Sequence, residues 1–385
     1  MKITSLFIGG FTLLFCLGLE ARPQNRPPTR FEGDAAMDRG SIGGLDKRRS
    51  DQIRKATRAG LQYLADHQSA GGFWRGDVGF KVNADYSTTK PDCAHVGITA
   101  LAIMAFLAQG HVPDRGKYGK VVSKAVDYLV LASNENGYLS DNGTKMYSHA
   151  FATLALAEVY GMTRSKEVKK TLQRSIDLIA QCQNREGGWR YKPFAQESDM
   201  SITVCQVMAL RAARNSGIYV QKNVIRDAVN YVRRSDNRNY RRHRSQWAWR
   251  NMDDGVFKYQ IRRNARASFA LTAAGVTTLY GAGIYKDPLL TRGLGYMREN
   301  LRDFNATWKG HYFFYYGNYY AVQAFFYAGG KYWNEYFRQI SKVLLDFQNT
   351  DGSWPNHTGP GTNFSTAVAT LILSIPYQYL PIFQR

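Results

Sequence analysis

The sequence predicts an all-α protein in which six helix hairpins close into a ring of inner and outer helices. Three observations predict it: a short unit recurs along the chain, each unit pairs two different kinds of helix, and the last inner helix is as apolar as the other inner helices. The unit is clearest at Arg58-Ala59-Gly60-Leu61-Gln62-Tyr63-Leu64, followed by Gln68 and Gly71-Gly72-Phe73-Trp74. It returns over Arg174 to Ile179 with Gln183 and Gly187-Gly188-Trp189, and again at Val343-Leu344 with Gln348 and Asp351-Gly352-Ser353-Trp354. Weaker copies start near Ala125-Val126-Asp127-Tyr128-Leu129, Ala228-Val229-Asn230-Tyr231-Val232 and Gly293-Leu294-Gly295-Tyr296-Met297. Their turns are Asn136-Gly137-Tyr138, Asp254-Gly255-Val256-Phe257 and a degenerate stretch around Trp308-Lys309-Gly310. Six copies spaced roughly fifty to sixty-five residues apart are the signature of stacked supersecondary units, longer than common solenoid repeats.

Within each unit the first helix is amphipathic and is stopped by Asn, Asp and Gly near the Gln. The second is apolar on nearly every side, as in Val96-Gly97-Ile98-Thr99-Ala100-Leu101-Ala102-Ile103-Met104-Ala105-Phe106-Leu107. The other second helices are expected near His149 to Tyr160, Thr203 to Ala213, Ala267 to Tyr280, Tyr319 to Ala328 and Thr366 to Ser374. A striped helix can face water on one side, whereas one that is apolar all round has to be buried. Two concentric layers follow. An open superhelix would need a polar cap at its end, and the last second helix runs apolar into Ile375-Pro376. Closure into an α/α toroid removes that exposed end.

The flanks are simpler. Lys2 and the apolar run from Ile3 to Leu19, ending at Leu19-Glu20-Ala21, read as a secretory signal over residues 1–21. Phe15 before Cys16 speaks against lipid attachment. Residues 22–50 form a basic linker rich in Pro, Arg and Gly, with too little apolar surface to order itself. The toroid is assigned to residues 51–385. An exported location is therefore expected, periplasmic or secreted, with a retained signal offering membrane association. Beyond the leader stand Cys93, Cys182 and Cys205, an odd number without disulfide-rich spacing, read as free thiols. Net charge is +21, concentrated between Arg233 and Arg266. Export and the lack of any nucleic-acid module argue against a nucleic-acid partner, leaving an anionic surface or an acidic glycan.

The pattern of Arg or Lys, a small residue, an aromatic, an aliphatic, Gln and then Gly-x-Trp resembles the QW motif of squalene–hopene and oxidosqualene cyclases. Their toroid is shared with protein prenyltransferase β-subunits. The chain most resembles bacterial exported proteins built from prenyltransferase/squalene-oxidase repeats. Gly187-Gly188-Trp189-Arg190-Tyr191, Tyr315-Tyr316-Gly317-Asn318-Tyr319-Tyr320 and the terminal Leu380-Pro381-Ile382-Phe383-Gln384-Arg385 carry that likeness.

The resemblance supplies a chemical question. Class II terpene cyclases protonate an alkene with the middle Asp of D-x-D-D-T-A at the start of an inner helix. The matching stretches here are Asp92-Cys93-Ala94-His95 and Asp199-Met200-Ser201-Ile202, with Ala94 and Ser201 where the acid is needed. Asn251-Met252-Asp253-Asp254 is closer by letter but falls on an outer-to-inner turn, beside Arg250. Asp92, His95, Asp199 and Asp253 are thus weak catalytic candidates, and Asp92 and Asp199 also read as helix N-caps. Prenyltransferases hold zinc with Asp, Cys and His. Asp92, Cys93 and His95 are the right types, but they lie in one short segment instead of that family's split site. No metal or other cofactor is expected.

In a toroid the N-termini of all inner helices face one mouth, so Asp92, His95, His149, Asp199 and Asn318 are expected to gather there beside the positive helix ends. Arg262, Arg263 and Arg266 join them, and such a mouth suits phosphate or carboxylate. The fifth repeat adds His311-Tyr312-Phe313-Phe314-Tyr315-Tyr316 and Tyr319-Tyr320, rings that pack against each other or line a ligand cavity. The expected ligand-binding set is His149, Arg262, Arg266, His311, Tyr315, Tyr316 and Tyr319. An apolar or amphiphilic ligand of isoprenoid type in the central cavity is the leading reading. A divergent cyclase, or another toroid enzyme, and a scaffold binding a polyanion through the basic face are the alternatives.

Overall fold

The computed structural model describes residues 45–82, 85–237, 255–262, 264–307, 313–356 and 359–384. Among them are twelve α-helices in six hairpins. The outer members are α1 (Lys47–Asp66), α3 (Gly119–Leu131), α5 (Lys166–Gln181), α7 (Lys222–Arg234), α9 (Pro288–Ala306) and α11 (Gly330–Asp346). The inner members are α2 (Val96–Leu107), α4 (Lys145–Thr163), α6 (Met200–Asn215), α8 (Phe269–Gly281), α10 (Phe314–Ala328) and α12 (Thr362–Ser374).

The two layers follow from composition. In α5, Ser165 caps the N-terminus by accepting from Val168 N, and Val168, Leu172, Ile176 and Ile179 form the buried stripe. In α2 every residue from Val96 to Leu107 is buried. Each inner helix packs on the next in the order α2, α4, α6, α8, α10, α12, and α12 packs back onto α2. The ring is closed: the first and sixth repeats are neighbours, with α1 against both α11 and α12.

The recurring Gln, Gly and Trp make one repeated joint. Trp74, Trp189 and Trp354 are fully buried, and their indole N–H groups donate to Leu64 O, Ile179 O and Leu344 O at 2.7, 2.7 and 2.8 Å. Their backbone N–H groups donate to Thr99, Thr203 and Thr366 on the following inner helix. Gln68, Gln183 and Gln348 each donate to the Gly carbonyl of their own turn and to a carbonyl of the next outer helix: Val121, Val224 and, across the closure, Ala56. Gly72, Gly187 and Gly352 have φ of +85°, +83° and +88°. A Cβ there would lie 2.2–2.5 Å from Lys124 O, Asp227 O and Ala59 O, so only glycine permits the approach.

The structure departs from the sequence expectation in two places. After Trp74 the chain does not enter α2 directly but forms an antiparallel hairpin, β1 (Arg75–Val82) paired with β2 (Asp85–Ala94). The inner helices α4, α6, α10 and α12 also begin three to five residues earlier than their apolar runs. Their first turns carry Lys, Ser, Tyr and Phe because they border a cavity instead of sealed core. Cys93, Cys182 and Cys205 are free thiols.

Candidate functional site: the cavity at the inner-helix N-termini

A cavity of about 780 Å³ opens at the N-terminal ends of the inner helices. Tyr147 and Phe151 of α4, Tyr316 and Tyr319 of α10, Phe364 of α12, and Ile98 and Leu101 of α2 build its walls. Tyr191 and Tyr259 come from the turns of the third and fourth repeats, and Val78, Phe80 and Tyr86 from the hairpin. Phe151 and Tyr319 meet across the ring edge to face, centroids 5.7 Å apart. Lys145, Arg190, Lys192 and Arg266 stand around the mouth. Among the described residues no carboxylate lines this cavity.

The partners of those cations differ. Arg190 and Arg262 share the single carboxylate of Glu197, which offsets part of the charge on that side of the rim. Arg266 lies over the Tyr259 ring, 5.1 Å from its centroid, and among the described residues neither it nor Lys145 nor Lys192 pairs with an acid. An unneutralised cation over an aromatic face at a concave mouth attracts an anionic head group.

Each candidate from the sequence has a definite place. Asp199 is the N-cap of α6, fully buried behind the wall. It accepts from Ser201 Oγ (2.6 Å), Ile202 N (2.9 Å) and Tyr259 OH (3.2 Å), and Tyr259 OH lies 2.7 Å from Tyr191 OH. Burial raises the Asp199 pKa while these donors hold it down. Asp199 thus fixes the two tyrosines of the wall without facing the cavity itself. Asp92 is corrected more fully: it lies on β2 with φ of +39°, exposed and paired with Arg75, and caps no helix. His95 takes that role, its Nδ1 accepting from Ile98 N at 3.2 Å. It borders the cavity, and desolvation lowers its pKa to about 4, so it is neutral.

His149 is fully buried in the seam between α4 and its preceding turn, accepting from Leu139 N at 3.1 Å, and burial lowers its pKa to about 3. It does not reach the cavity, because an inner helix buries side chains in all directions and only one of those directions is the centre. Tyr315 also turns away, donating to Pro355 O at 2.7 Å, and Asn318 is buried against Tyr336. Arg262 stays outside the lining on Glu197. Arg266, Tyr316 and Tyr319 do line the cavity. Asp253 and His311 lie outside the described residues.

Sequence reasoning passed over Lys145, Arg190, Lys192, Tyr147, Phe151, Tyr191 and Tyr259, and the whole hairpin. The alternation of Val78, Phe80 and Val82 is a strand signal with period two, hidden by the expectation that the Trp turn leads straight into a helix. Among the described residues no cluster of His, Cys, Asp and Glu has the makings of a metal site.

The family model of the prenyltransferase α/α-toroid domain matches residues 41–255, more than half of the sequence. The chain belongs to that family. No curated protein matches this toroid in sequence. Several solved structures share its fold. A type II terpene cyclase from Scytonema, in complex with geranylgeranyl dihydroxybenzoate, superposes with a TM-score of 0.56 at 12% identity, covering 87% of this chain and 100% of that one. Cellobiose 2-epimerase from Spirochaeta thermophila gives 0.59 at 14%, over 86% and 97%. An α-1,6-mannanase of Salegentibacter in complex with α-1,6-mannotriose gives 0.56 at 8%, over 85% and 99%. Identities this low show a common fold, and these toroid neighbours include both isoprenoid and glycan enzymes.

Proposed function

We propose that this is an exported binding toroid that holds an amphiphile in its central cavity, the anionic head at the mouth and the apolar body between the aromatic walls. The observation that carries this is the pairing of aromatic walls with a basic mouth, where among the described residues no carboxylate lines the cavity. About 780 Å³ is an ordinary size for a small-molecule site. Arg266, Lys145 and Lys192 supply charge at the rim, and Tyr147, Phe151, Tyr316 and Phe364 supply apolar surface within. Export rests on the apolar run Ile3 to Leu19, and the N-terminal residue of the mature protein checks it.

The same absence of a lining acid weighs against alkene protonation, because a carboxylic acid would have to face the substrate to give it a proton. Among the described residues neither buried acid lines the cavity: Asp199 is spent on Ser201, Ile202 and Tyr259, and Glu158 lies further along α4. Incubation with squalene is expected to give no cyclic triterpene. Native mass spectrometry of protein purified from its own cells, followed by solvent extraction, tests the binding reading. An anionic amphiphile that leaves the protein with its fold intact supports it. A cyclic product that disappears in Asp253→Asn would replace it with catalysis.

A further inference from the structure

The cavity wall beside Arg266 sends its hydroxyl protons in one direction. Tyr191, Ser201 and Tyr259 all line the cavity, and their hydroxyls lead back to Asp199 behind them. The two tyrosines are fixed to the inner-helix N-termini by their backbone: Met146 N donates to Tyr191 O at 3.1 Å and Met200 N to Tyr259 O at 2.9 Å. Asp199 Oδ1 accepts from Ile202 N and Ser201 Oγ, and Oδ2 accepts from Tyr259 OH. A backbone N–H can only donate, and the start of a helix favours a carboxylate over a carboxylic acid. Asp199 is therefore the acceptor at the root of the network.

The count of protons follows from that root. A phenol or an alcohol carries a single proton beside its lone pairs. Tyr259 spends its proton on Asp199, so across its 2.7 Å contact with Tyr191 it can only accept, and Tyr191 spends its own proton there. Ser201 spends its proton on Asp199 at 2.6 Å. These lining hydroxyls are left with lone pairs and no proton to offer the cavity. The charged groups around them are Arg190, Lys192 and Arg266, all cations. An ammonium group on a ligand would be repelled there, and a ketone oxygen would set its lone pairs against those of the wall. An uncharged O–H satisfies it.

We propose that Tyr191, Ser201 and Tyr259 form an acceptor subsite for a hydroxyl beside the anionic head, so that the ligand is a hydroxylated amphiphile. This rests on the reading of the central cavity as an amphiphile site. Arg266 sets the reach. Its guanidinium lies over the Tyr259 ring, 5.1 Å from the centroid, and the Tyr259 hydroxyl is bonded to Tyr191. A head held by Arg266 therefore brings its nearest carbon, and a hydroxyl on that carbon, to the tyrosine oxygens. Asp199 does not touch the ligand. It is a positioning residue that turns the protons of the wall inward.

Isothermal titration with α-hydroxyhexadecanoate and α-oxohexadecanoate tests this, because the two match in charge and nearly in size but only the first has a proton to give. The wild type is expected to bind the hydroxy acid about tenfold more tightly. Asp199→Asn keeps a side chain that caps helices as well as aspartate does, but its amide N–H donates to Tyr259 and turns the chain of protons outward. Tyr191 then has a proton for the cavity, and the ratio should fall to one or invert. Tyr259→Phe frees the same proton without touching the cap, so it should also collapse the ratio, and it carries the test if Asp199→Asn does not fold. Arg266→Ala should weaken both probes together and keep the ratio, since it acts on the head. Equal affinities in the wild type, or tighter binding of the oxo acid, would overturn the acceptor subsite and leave the cavity reading intact. A preference unchanged in either folded variant would mean that the hydroxyl is taken elsewhere, and would overturn it too. If neither probe binds, the cavity reading fails and the inference with it.

Discussion

The two ends of the toroid use polar groups in opposite ways. At the mouth, Arg266, Lys145 and Lys192 are exposed, and among the described residues no acid pairs with them. At the far end, Glu158 is sunk in the core, and the terminal segment around Ile382 closes over it. Charges in water cost little to leave unpaired, whereas a buried carboxyl has to be neutralised or bonded. The contrast teaches where each end spends free energy. The mouth holds charge in reserve for a partner, and the far end commits its groups to stability. Substitutions at the far end should therefore act on folding, and those at the mouth on binding.

The largest effect is expected from the terminal segment itself. Leu380, Ile382 and Phe383 are almost wholly buried, and burying a side chain of this size contributes about 2 kcal/mol. Truncation after Tyr379 should cost about 5 kcal/mol in urea unfolding and open the far end to a fluorescent apolar dye. A truncated protein with unaltered stability would show that the tail only rests on the ring.

Next is the titration of Glu158. Its pKa is about 8 in the fold against an ordinary value of 4.5, so between those values the native state binds more protons than the unfolded chain. Stability then falls as pH rises, by at most about 1.4 kcal/mol per pH unit. His149 and His95, with pKa lowered to about 3 and 4, act in the other direction. They bind fewer protons folded than unfolded, so they add stability as pH rises, but only up to the ordinary histidine value of 6.5. From there to about 8 Glu158 dominates. Chemical denaturation across that window should show a decline, and Glu158→Gln, which cannot titrate, should flatten it. A decline of the same slope in the variant would move the effect to another group.

How much of this was legible beforehand depends on whether a residue's neighbours are set by its own repeat. Gln68, Gly72 and Trp74 mark their joint because each partner sits a fixed distance along the unit or in the next copy. The closed ring was legible from α12, since an all-round apolar helix cannot end a stack. The site was less legible. His149 and His95 occur near the starts of adjacent inner helices, yet one fills a seam and the other borders the cavity. Their difference is a rotation about the helix axis that an apolar run does not encode. Glu158 did carry a signal, as a lone acid within Ala155-Leu156-Ala157-Glu158-Val159. The tail that explains it lies more than two hundred residues away, and no local pattern links the two.

At the mouth the effects should be smaller and of another kind. Arg266→Ala and Lys145→Ala remove exposed side chains without acid partners, so stability should stay within about 0.5 kcal/mol. Affinity for an anionic amphiphile should drop about three- to tenfold for each, and less at high salt because exposed charges are screened. Titration calorimetry at two ionic strengths reads both. Loss of stability with unchanged affinity would reverse the contrast between the ends.

The smallest effect is expected at Asp92, and it sharpens the contrast within the mouth. The sequence pattern pairs Asp92 with Asp199. In the structure His95 occupies the N-cap place that Asp199 holds in its repeat, and Asp92 lies on β2. Of the two acids only Asp199 caps a helix and anchors wall tyrosines. Removing its side chain in Asp199→Ala should cost about 1–2 kcal/mol as a lost N-cap and loosen Tyr259 and Tyr191. Asp92 has its side chain 76% exposed against Arg75, an ion pair 3.3 Å long in open solvent. Such pairs contribute a few tenths of a kcal/mol. The informative substitution there is Asp92→Asn, because asparagine tolerates the left-handed backbone at φ of +39°, so only the charge is removed. Melting temperature should hold, and affinity for an anionic amphiphile should hold or rise slightly as one negative charge leaves the mouth face. A marked loss of binding in Asp92→Asn would give the hairpin carboxylate a direct part in the ligand, and the mouth would then no longer act through its cations alone.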